Sequence, residues 1–215
     1  MTPQLTPQEK MQEVIRRLEE YYPDSACALE AKGDPFRLLV MAVLSAQCTD
    51  ARVNKVSVGL FERFPDAAAM AEGEVSEIEE LIRSCGLYRS KAKNLSLCAK
   101  RLRQVYGGEV PSAMEDLLTL PGVGRKVANL IRGDVFGLGG IVADTHCIRI
   151  TNLLGFCQSD DPKKVEFTLD PLVPKDKQSD FCHRLVQYGR DVCIARRPKC
   201  NECVLKDLCD RGEGL

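Results

Sequence analysis

Four cysteines near the end of the chain constrain its fold more than any other feature. They follow the spacing C-x6-C-x2-C-x5-C and are Cys193, Cys200, Cys203 and Cys209. Four thiolates this close in sequence bind one metal centre only if the segment between them forms a compact loop. Zinc modules usually combine two close C-x2-C pairs, and only one such pair is present here. The spacing therefore favours a cubane 4Fe–4S cluster, with a structural zinc site as the alternative.

The cysteine count and the start of the chain indicate a reducing compartment. The chain has 215 residues and 11 cysteines, an odd number, and residues 1–10 lack the pattern of a signal peptide. In a reducing compartment cysteines serve as thiols and metal ligands rather than as disulfides. The sequence also has no apolar run of about 18 residues, the length a transmembrane helix requires. We therefore predict a cytoplasmic protein without membrane contact, in which the other seven cysteines are core residues.

Helix signals dominate the rest of the sequence, and no convincing strand pattern is present. Thr6 to Glu9 forms a capping box ahead of apolar residues at helical spacing. The apolar segment that begins at Asp34-Pro35 and runs to Cys48 predicts a buried helix. Further helices are predicted from Thr49 to Phe64 and from Tyr88 to Tyr106. The predicted fold class is all-α.

A glycine turn between two predicted helices is the clearest candidate for a ligand-binding segment. A capping box at Ser112 and Glu115 begins the first helix, and Leu120-Pro121-Gly122-Val123-Gly124 precedes the second. The two glycines let the backbone turn tightly and approach a ligand, and the helix N-terminus that follows favours an anion such as phosphate. A plain corner between helices is the alternative, but the whole string is more specific and favours DNA. The backbone N–H groups at the helix N-terminus would then supply the positive charge that binds phosphate, although the net charge of the chain is −1.

Lys126 and Asp144 are the candidate catalytic residues. Lys126 lies in the first turn of the helix after the glycine turn, where the helix dipole disfavours the ammonium form and suits a neutral amine nucleophile. An ordinary exposed lysine is the alternative. Asp144 follows the glycine-bearing stretch 137–140 and is also a candidate N-cap. The two roles of Asp144 are compatible because a capping carboxylate can still face a cleft.

Together these features resemble the endonuclease III family of the helix-hairpin-helix DNA glycosylase superfamily. The resemblance extends in order from about Glu9 to Cys209, nearly the whole chain. It rests on the hairpin with Lys126, the glycine-bearing link, Asp144-Thr145-His146, the closing cysteines, Leu44-Ser45-Ala46-Gln47 with Thr49-Asp50, and Gly86-Leu87-Tyr88 with Ser90-Lys91-Ala92.

The resemblance implies a bifunctional DNA glycosylase and abasic-site lyase that excises oxidised or ring-saturated pyrimidines. Lys126 would attack the deoxyribose C1′, displace the base and form a Schiff base that leads to β-elimination. Asp144 would stabilise positive charge on the sugar and take up a proton. The implied partner is double-stranded DNA with damaged pyrimidines or abasic sites, whose target nucleotide is flipped out of the duplex. We expect a monomer associated with the nucleoid.

Further residues are expected to contact DNA. By resemblance, Gln47 fills the space left by the flipped base and Leu87 wedges the opposite strand. The alternatives are a buried hydrogen bond for Gln47 and a loop residue folded back on the core for Leu87. A basic run beside the cluster cysteines adds candidate phosphate contacts, although such runs are usually solvated surface. The expected DNA-binding residues are Gln47, Leu87, Gly122, Gly124, His146, Arg190, Arg196, Arg197 and Lys199.

The resemblance also implies two helical lobes. Residues 28–138 would form a helical barrel that carries the hairpin, and residues 1–27 with 139–215 would form the iron–sulfur domain. Lys126 and Asp144 would then lie on opposite sides of a cleft, while the cluster fixes the basic loop against phosphates. Cys48 and Cys147 depart from the small or apolar residues expected beside Gln47 and His146, and are either small core residues or oxidisable thiols.

Three other functions fit parts of the sequence. An adenine-mispair glycosylase shares the hairpin and the cluster. Such proteins usually lack the hairpin lysine and carry a further C-terminal domain, whereas this chain ends six residues after Cys209. A structure-specific DNA-binding module has no need of Lys126 together with Asp144. An electron-transfer protein explains the cluster and leaves the hairpin unused.

Overall fold

The computed structural model describes residues 5–210, and within that range the chain forms eleven α-helices and no strand. The all-α fold class is confirmed. No helix in the described range is both long and apolar enough to cross a membrane. The helices are α1 (Pro7–Tyr21), α2 (Pro35–Leu44), α3 (Asp50–Arg63), α4 (Ala67–Glu72), α5 (Val75–Leu81), α6 (Tyr88–Tyr106), α7 (Met114–Leu117), α8 (Arg125–Asp134), α9 (Thr145–Leu153), α10 (Pro162–Leu169) and α11 (Gln178–Asp191).

Contacts divide the chain into two compact units. The middle unit comprises residues 27–137, and the terminal unit comprises residues 5–26 together with residues 138–210. Each unit has its own hydrophobic core. The terminal unit therefore combines two segments that are far apart in the sequence.

Helix α2 is the centre of the middle unit. Every residue from Leu38 to Leu44 is buried, as expected for a helix that is apolar nearly all round. Asp34 begins the helix, since its carboxylate accepts a 3.0 Å hydrogen bond from the backbone N–H of Arg37. Helices α3, α6 and α8 pack against α2. The helix that follows the glycine turn is thereby fixed to the core of its unit.

In the terminal unit, α1 packs against α11. Thr6 and Glu9 form the predicted capping box, with the Thr6 N–H donating to Glu9 Oε2 at 2.8 Å. Tyr188 of α11 is buried and lies edge-on to the ring of Tyr22. The Arg184 side chain donates a 2.9 Å hydrogen bond to the carbonyl of Tyr22, just past the end of α1. These contacts join the first helix to the last one.

The structure differs from the sequence predictions at some helix ends. Helix α2 ends at Leu44 instead of Cys48, because Gln47 adopts a left-handed conformation with φ +53° that a helix cannot continue through. The capping box predicted at Ser112 and Glu115 is wrong. Helix α7 begins one residue later, with Ala113 as its N-cap and no side-chain cap bond.

Core packing of the middle unit predicts that two substitutions in α3 lower the free energy of unfolding by very different amounts. Leu60 is fully buried, whereas Val58 is 63% exposed. Leu60→Ala should lower the free energy of unfolding by about 2–5 kcal/mol, because it leaves a cavity. Val58→Ala, the matched control, should change it by less than about 0.5 kcal/mol. Denaturant unfolding followed by circular dichroism measures both, and equal losses would contradict this packing.

Candidate active site and metal centre

The four closing cysteines line one cavity in the terminal unit. The rest of the lining is Leu153, Val192, Pro198, Lys199 and Lys206. All four thiols are free and partly buried. Among the described residues the lining contains sulfur ligands and no carboxylate or imidazole, which is the donor set and apolar environment that an iron–sulfur cluster requires. The residues present therefore fit the predicted 4Fe–4S cluster.

Side chains around the cavity orient the cysteines. The buried Tyr188 donates a 3.0 Å hydrogen bond from its hydroxyl to Cys203 Sγ. Arg149 donates a 2.5 Å hydrogen bond to the carbonyl of Cys193. Burial raises the pKa of the Cys193 thiol, and the nearby Arg149 guanidinium acts in the opposite direction. Such outer contacts fix the direction in which a ligand points.

Helix α1 anchors the segment that carries the four cysteines, residues 193–209, which we call the cysteine loop. The contact is made by Arg17. Its guanidinium donates a 2.7 Å hydrogen bond to the carbonyl of Val204 and forms a two-pronged ion pair with Asp207, at 2.5 and 2.9 Å. The bonds from Arg17 hold the pKa of Asp207 below its usual value. The loop is thus tied to a helix from the other end of the chain.

The basic residues predicted to contact DNA lie on the surface of this loop and at the end of α11. All four are exposed, and they are Arg190, Arg196, Arg197 and Lys199. Within residues 5–210, Arg196, Arg197 and Lys199 form no ion pair. Exposed cations without acidic partners are available to bind phosphates.

The glycine turn lies between α7 and α8 in the middle unit. Gly122 has φ +83°, and a Cβ there would lie 3.1 Å from the Cβ of Asn94. Both the conformation and the close packing therefore require glycine at 122. Gly124 is the exposed N-cap of α8, and a Cβ there would meet no atom within 4 Å. Because the space around Gly124 is empty, the backbone at the start of the helix is accessible.

Lys126 is exposed in the first turn of α8, two residues after Gly124. Its ammonium forms no hydrogen bond or ion pair within the described range. The amine is thus accessible at the start of a helix that has no side-chain cap, which is the setting the sequence predicted.

Asp144 is the N-cap of α9 in the terminal unit, and this cap was one of its predicted roles. Its Oδ1 accepts hydrogen bonds from the backbone N–H groups of His146 at 3.0 Å and Cys147 at 2.8 Å. Asp144 is only partly buried, and the cap leaves Oδ2 unused. The helix end therefore fixes the carboxylate while one oxygen stays available for chemistry.

His146 packs closely between α9 and α11. A Cβ on Gly189 would lie 2.3 Å from His146 Nδ1, so no larger residue fits at position 189 without moving the ring. Gly189 was not predicted from the sequence, although a glycine inside a helical pattern is itself a signal of close packing.

Gln47 and Leu87 lie on two adjoining loops of the middle unit. Both are exposed, Leu87 by 60%, so neither predicted alternative of a buried or folded-back side chain holds. Both have left-handed backbone, with φ of +53° and +57°. A Cβ on Gly86 would lie 3.1 Å from the carbonyl oxygen of Gln47, which shows how closely the loops approach.

Cys48 and Cys147 belong to pairs of thiols. Burial, followed by the hydrogen bond with Cys48, raises the pKa of Cys85 to about 11. The hydrogen bond with Cys182, followed by complete burial, raises the pKa of Cys147. A buried thiol with a raised pKa stays protonated and is a poor nucleophile, which favours the core role over the oxidisable one for Cys147.

Comparison with known proteins relates this geometry to one family. Residues 40–175 match the HhH-GPD superfamily of base excision DNA repair proteins, and residues 193–209 match the iron–sulfur binding domain of endonuclease III. The second match begins and ends at the first and last cluster cysteines, and the predicted 4Fe–4S cofactor is confirmed.

Curated relatives match along nearly the whole chain. Endonuclease III from Synechocystis sp. is 46% identical over 198 residues, which cover 92% of this chain and 90% of the relative. Endonuclease III from Escherichia coli is 39% identical over 204 residues, which cover 95% and 96%.

The solved structures that are similar to this chain include an endonuclease III as well. A trapped endonuclease III–DNA covalent intermediate is 42% identical, with a TM-score of 0.90 over 98% of both chains. A thermostable thymine-DNA glycosylase shares the fold, with 24% identity and a TM-score of 0.88 over 96% of this chain and 98% of that chain.

The cysteine cavity predicts the metal content of the purified protein. Wild-type protein should contain about four iron atoms and as many acid-labile sulfides, and Cys200→Ser should lose most of both because one ligand is missing. Cys98→Ala is the matched control, since Cys98 is a buried thiol of the middle unit. Iron and sulfide assays measure the outcome. Bound zinc without sulfide in the wild-type protein would contradict the assignment.

Proposed function

The chain belongs to the endonuclease III family of base excision DNA repair proteins, and from this membership we propose a substrate and a role for each site residue. It is a DNA glycosylase with abasic-site lyase activity. We propose that it removes oxidised or ring-saturated pyrimidines from duplex DNA and then nicks the strand by β-elimination. We propose further that it acts as a monomer and works at the nucleoid, where its DNA substrate is found.

Lys126 is the proposed nucleophile, and its position carries the proposal. Its exposed amine has no ion-pair partner among residues 5–210, and it follows directly on a glycine turn where Gly124 leaves the backbone open to a phosphate. Its neutral nitrogen attacks C1′, and the bond from C1′ to the damaged base breaks as the base leaves with the electron pair and takes up a proton. The nitrogen then loses a proton, and the C1′–O4′ bond breaks with protonation of O4′, so that the opened sugar is held as a Schiff base. This Schiff base makes the C2′ proton acidic. Loss of that proton expels the 3′ phosphate and cuts the strand.

Asp144 is the proposed electrostatic and proton-accepting partner. Its cap bonds to His146 and Cys147 hold the carboxylate in one orientation. A fixed negative charge stabilises the positive charge that develops on the deoxyribose as the base leaves. The free oxygen then takes up the proton that the attacking amine loses.

Separate elements are proposed to hold the DNA. The hairpin at Gly122 and Gly124 and the exposed cations of the cysteine loop bind phosphates on the strand. Gln47 and Leu87 enter the duplex, where Gln47 replaces the flipped base and Leu87 wedges the opposite strand. His146 supports the Asp144 side of the site. The cluster holds the basic loop in shape and takes no part in base removal.

Borohydride trapping tests the nucleophile. Borohydride reduces a Schiff base to a stable amine, so wild-type protein should become covalently linked to abasic duplex DNA. Lys126→Ala should abolish the trapped band while DNA binding persists, since the phosphate contacts lie elsewhere. The matched control is Lys100→Ala, which removes an exposed lysine of α6. Trapping that survives in Lys126→Ala would refute the assignment.

Substitution of Asp144 provides a companion measurement. Asp144→Asn keeps a cap oxygen and removes the charge, so α9 should persist while the single-turnover rate of base release falls by about a hundredfold or more. Circular dichroism checks the helix content. A normal rate in a folded Asp144→Asn protein would contradict the proposed electrostatic role.

A lesion panel tests the substrate class. Strand cleavage should be rapid on duplexes that contain ring-saturated thymine or oxidised cytosine, and slow on undamaged duplex. Damaged pyrimidines stack poorly, and this lowers the cost of flipping them. A duplex with adenine opposite an oxidised guanine is the control. Preferred excision of that adenine would identify the adenine-mispair alternative instead.

A further inference from the structure

Lys91 is a buried lysine for which the proposed reaction has no use. It belongs to the Ser90-Lys91-Ala92 motif and lies in α6, where its side chain is only 4% exposed. Lysine is almost never buried without a specific partner, because removing an ammonium from water is costly. An apolar residue of similar volume would fill this space without that cost. A specific polar partner must therefore hold the ammonium in this buried position.

The Lys91 side chain binds the end of α2. Its Nζ donates a 2.9 Å hydrogen bond to the carbonyl of Leu44, the last residue of that helix. The last carbonyls of a helix have no partner within the helix, and they form the negative end of its dipole. Lys91 thus supplies both a donor and a positive charge immediately before the loop that carries Gln47.

Lys91 lies in the first turn of α6, the helix whose N-cap is Leu87. Its backbone N–H donates the regular helical hydrogen bond to the carbonyl of Leu87, at 3.0 Å. The Lys91 side chain therefore joins the start of α6, directly after Leu87, to the end of α2, three residues before Gln47. The two loops also meet directly where Gly86 packs against the carbonyl of Gln47.

Both loops need such support because their key residues are strained. Gln47 and Leu87 each adopt a positive φ, a conformation that L-residues avoid. Strained residues of this kind persist only where the surrounding structure holds them. The Lys91 side chain joins the helix that follows Leu87 to the helix that precedes Gln47, and so links the positions of the two side chains.

We propose that Lys91 is a positioning residue that holds Gln47 and Leu87 at the spacing needed to enter duplex DNA. This inference rests on the DNA roles proposed above for those two side chains. Lys91 does not touch the reacting atoms, so its loss affects opening of the duplex and leaves the chemistry of Lys126 intact.

The main test compares two substrates. Lys91→Met keeps the length of the side chain and removes the donor. It should lower the single-turnover rate of base release from duplex DNA by about ten- to a hundredfold. Borohydride trapping at a preformed abasic site should stay near the wild-type rate, because no damaged base has to be unstacked there. Lys100→Met, an exposed lysine of the same helix, should behave as wild type in both assays.

A double-mutant cycle separates positioning from a general loss of structure. If the Lys91 side chain acts through the loop that carries Gln47, adding Lys91→Met to Gln47→Ala should slow base release little beyond Gln47→Ala alone. Additive losses, equal losses on both substrates, or a normal rate for Lys91→Met would each overturn the inference. Gly86→Ala is a second variant, since its Cβ presses on the Gln47 carbonyl and should give the same selective loss even if Lys91→Met folds poorly.

Single substitutions distinguish this inference from the proposed function. Normal base release by both Gln47→Ala and Leu87→Ala would refute the DNA roles of the loops, and with them the basis of the inference. Slow release by those variants combined with normal release by Lys91→Met would refute the role of Lys91 alone.

Discussion

An α-helix leaves its first N–H groups and last C=O groups without partners inside the helix, and in this chain the functional residues lie at such ends. Asp144 caps the start of α9, Gly124 exposes the start of α8, and Lys126 lies in the first turn of α8. Leu87 begins α6, and Gln47 follows the end of α2. The site is thus built at helix ends, where backbone groups have no partner inside the helix and side chains such as Asp144 and Lys91 bond to them instead.

This arrangement explains how a chain with a net charge of −1 handles a polyanion. Helix N-termini present backbone dipoles, which add no formal charge and need no lysine or arginine. The exposed cations of the cysteine loop add formal charge at one surface only. Acidic residues elsewhere then balance the total without weakening the local field, since exposed charges are screened beyond about 10 Å at moderate salt.

Features that depend on local sequence were predictable, whereas those that depend on distant packing were not. The bounds of α6, the cap at Asp144 and the cluster cysteines follow from signals within a few residues. The bond between Arg17 and Asp207 joins residues 190 positions apart, and no local pattern of the sequence predicts it. The burial of Lys91 and the left-handed backbone of Gln47 likewise exist only because two loops meet in the folded chain.

The terminal unit combines residues before and after the middle unit, so its two segments are synthesised at different times. The middle unit has all of its residues once position 137 has emerged, so it is able to fold while synthesis continues. Helix α1 precedes the middle unit in the sequence and yet packs against α11 and bonds to the cysteine loop, both of which follow that unit. Helix α1 therefore gains its packing partners only after the whole middle unit has been synthesised.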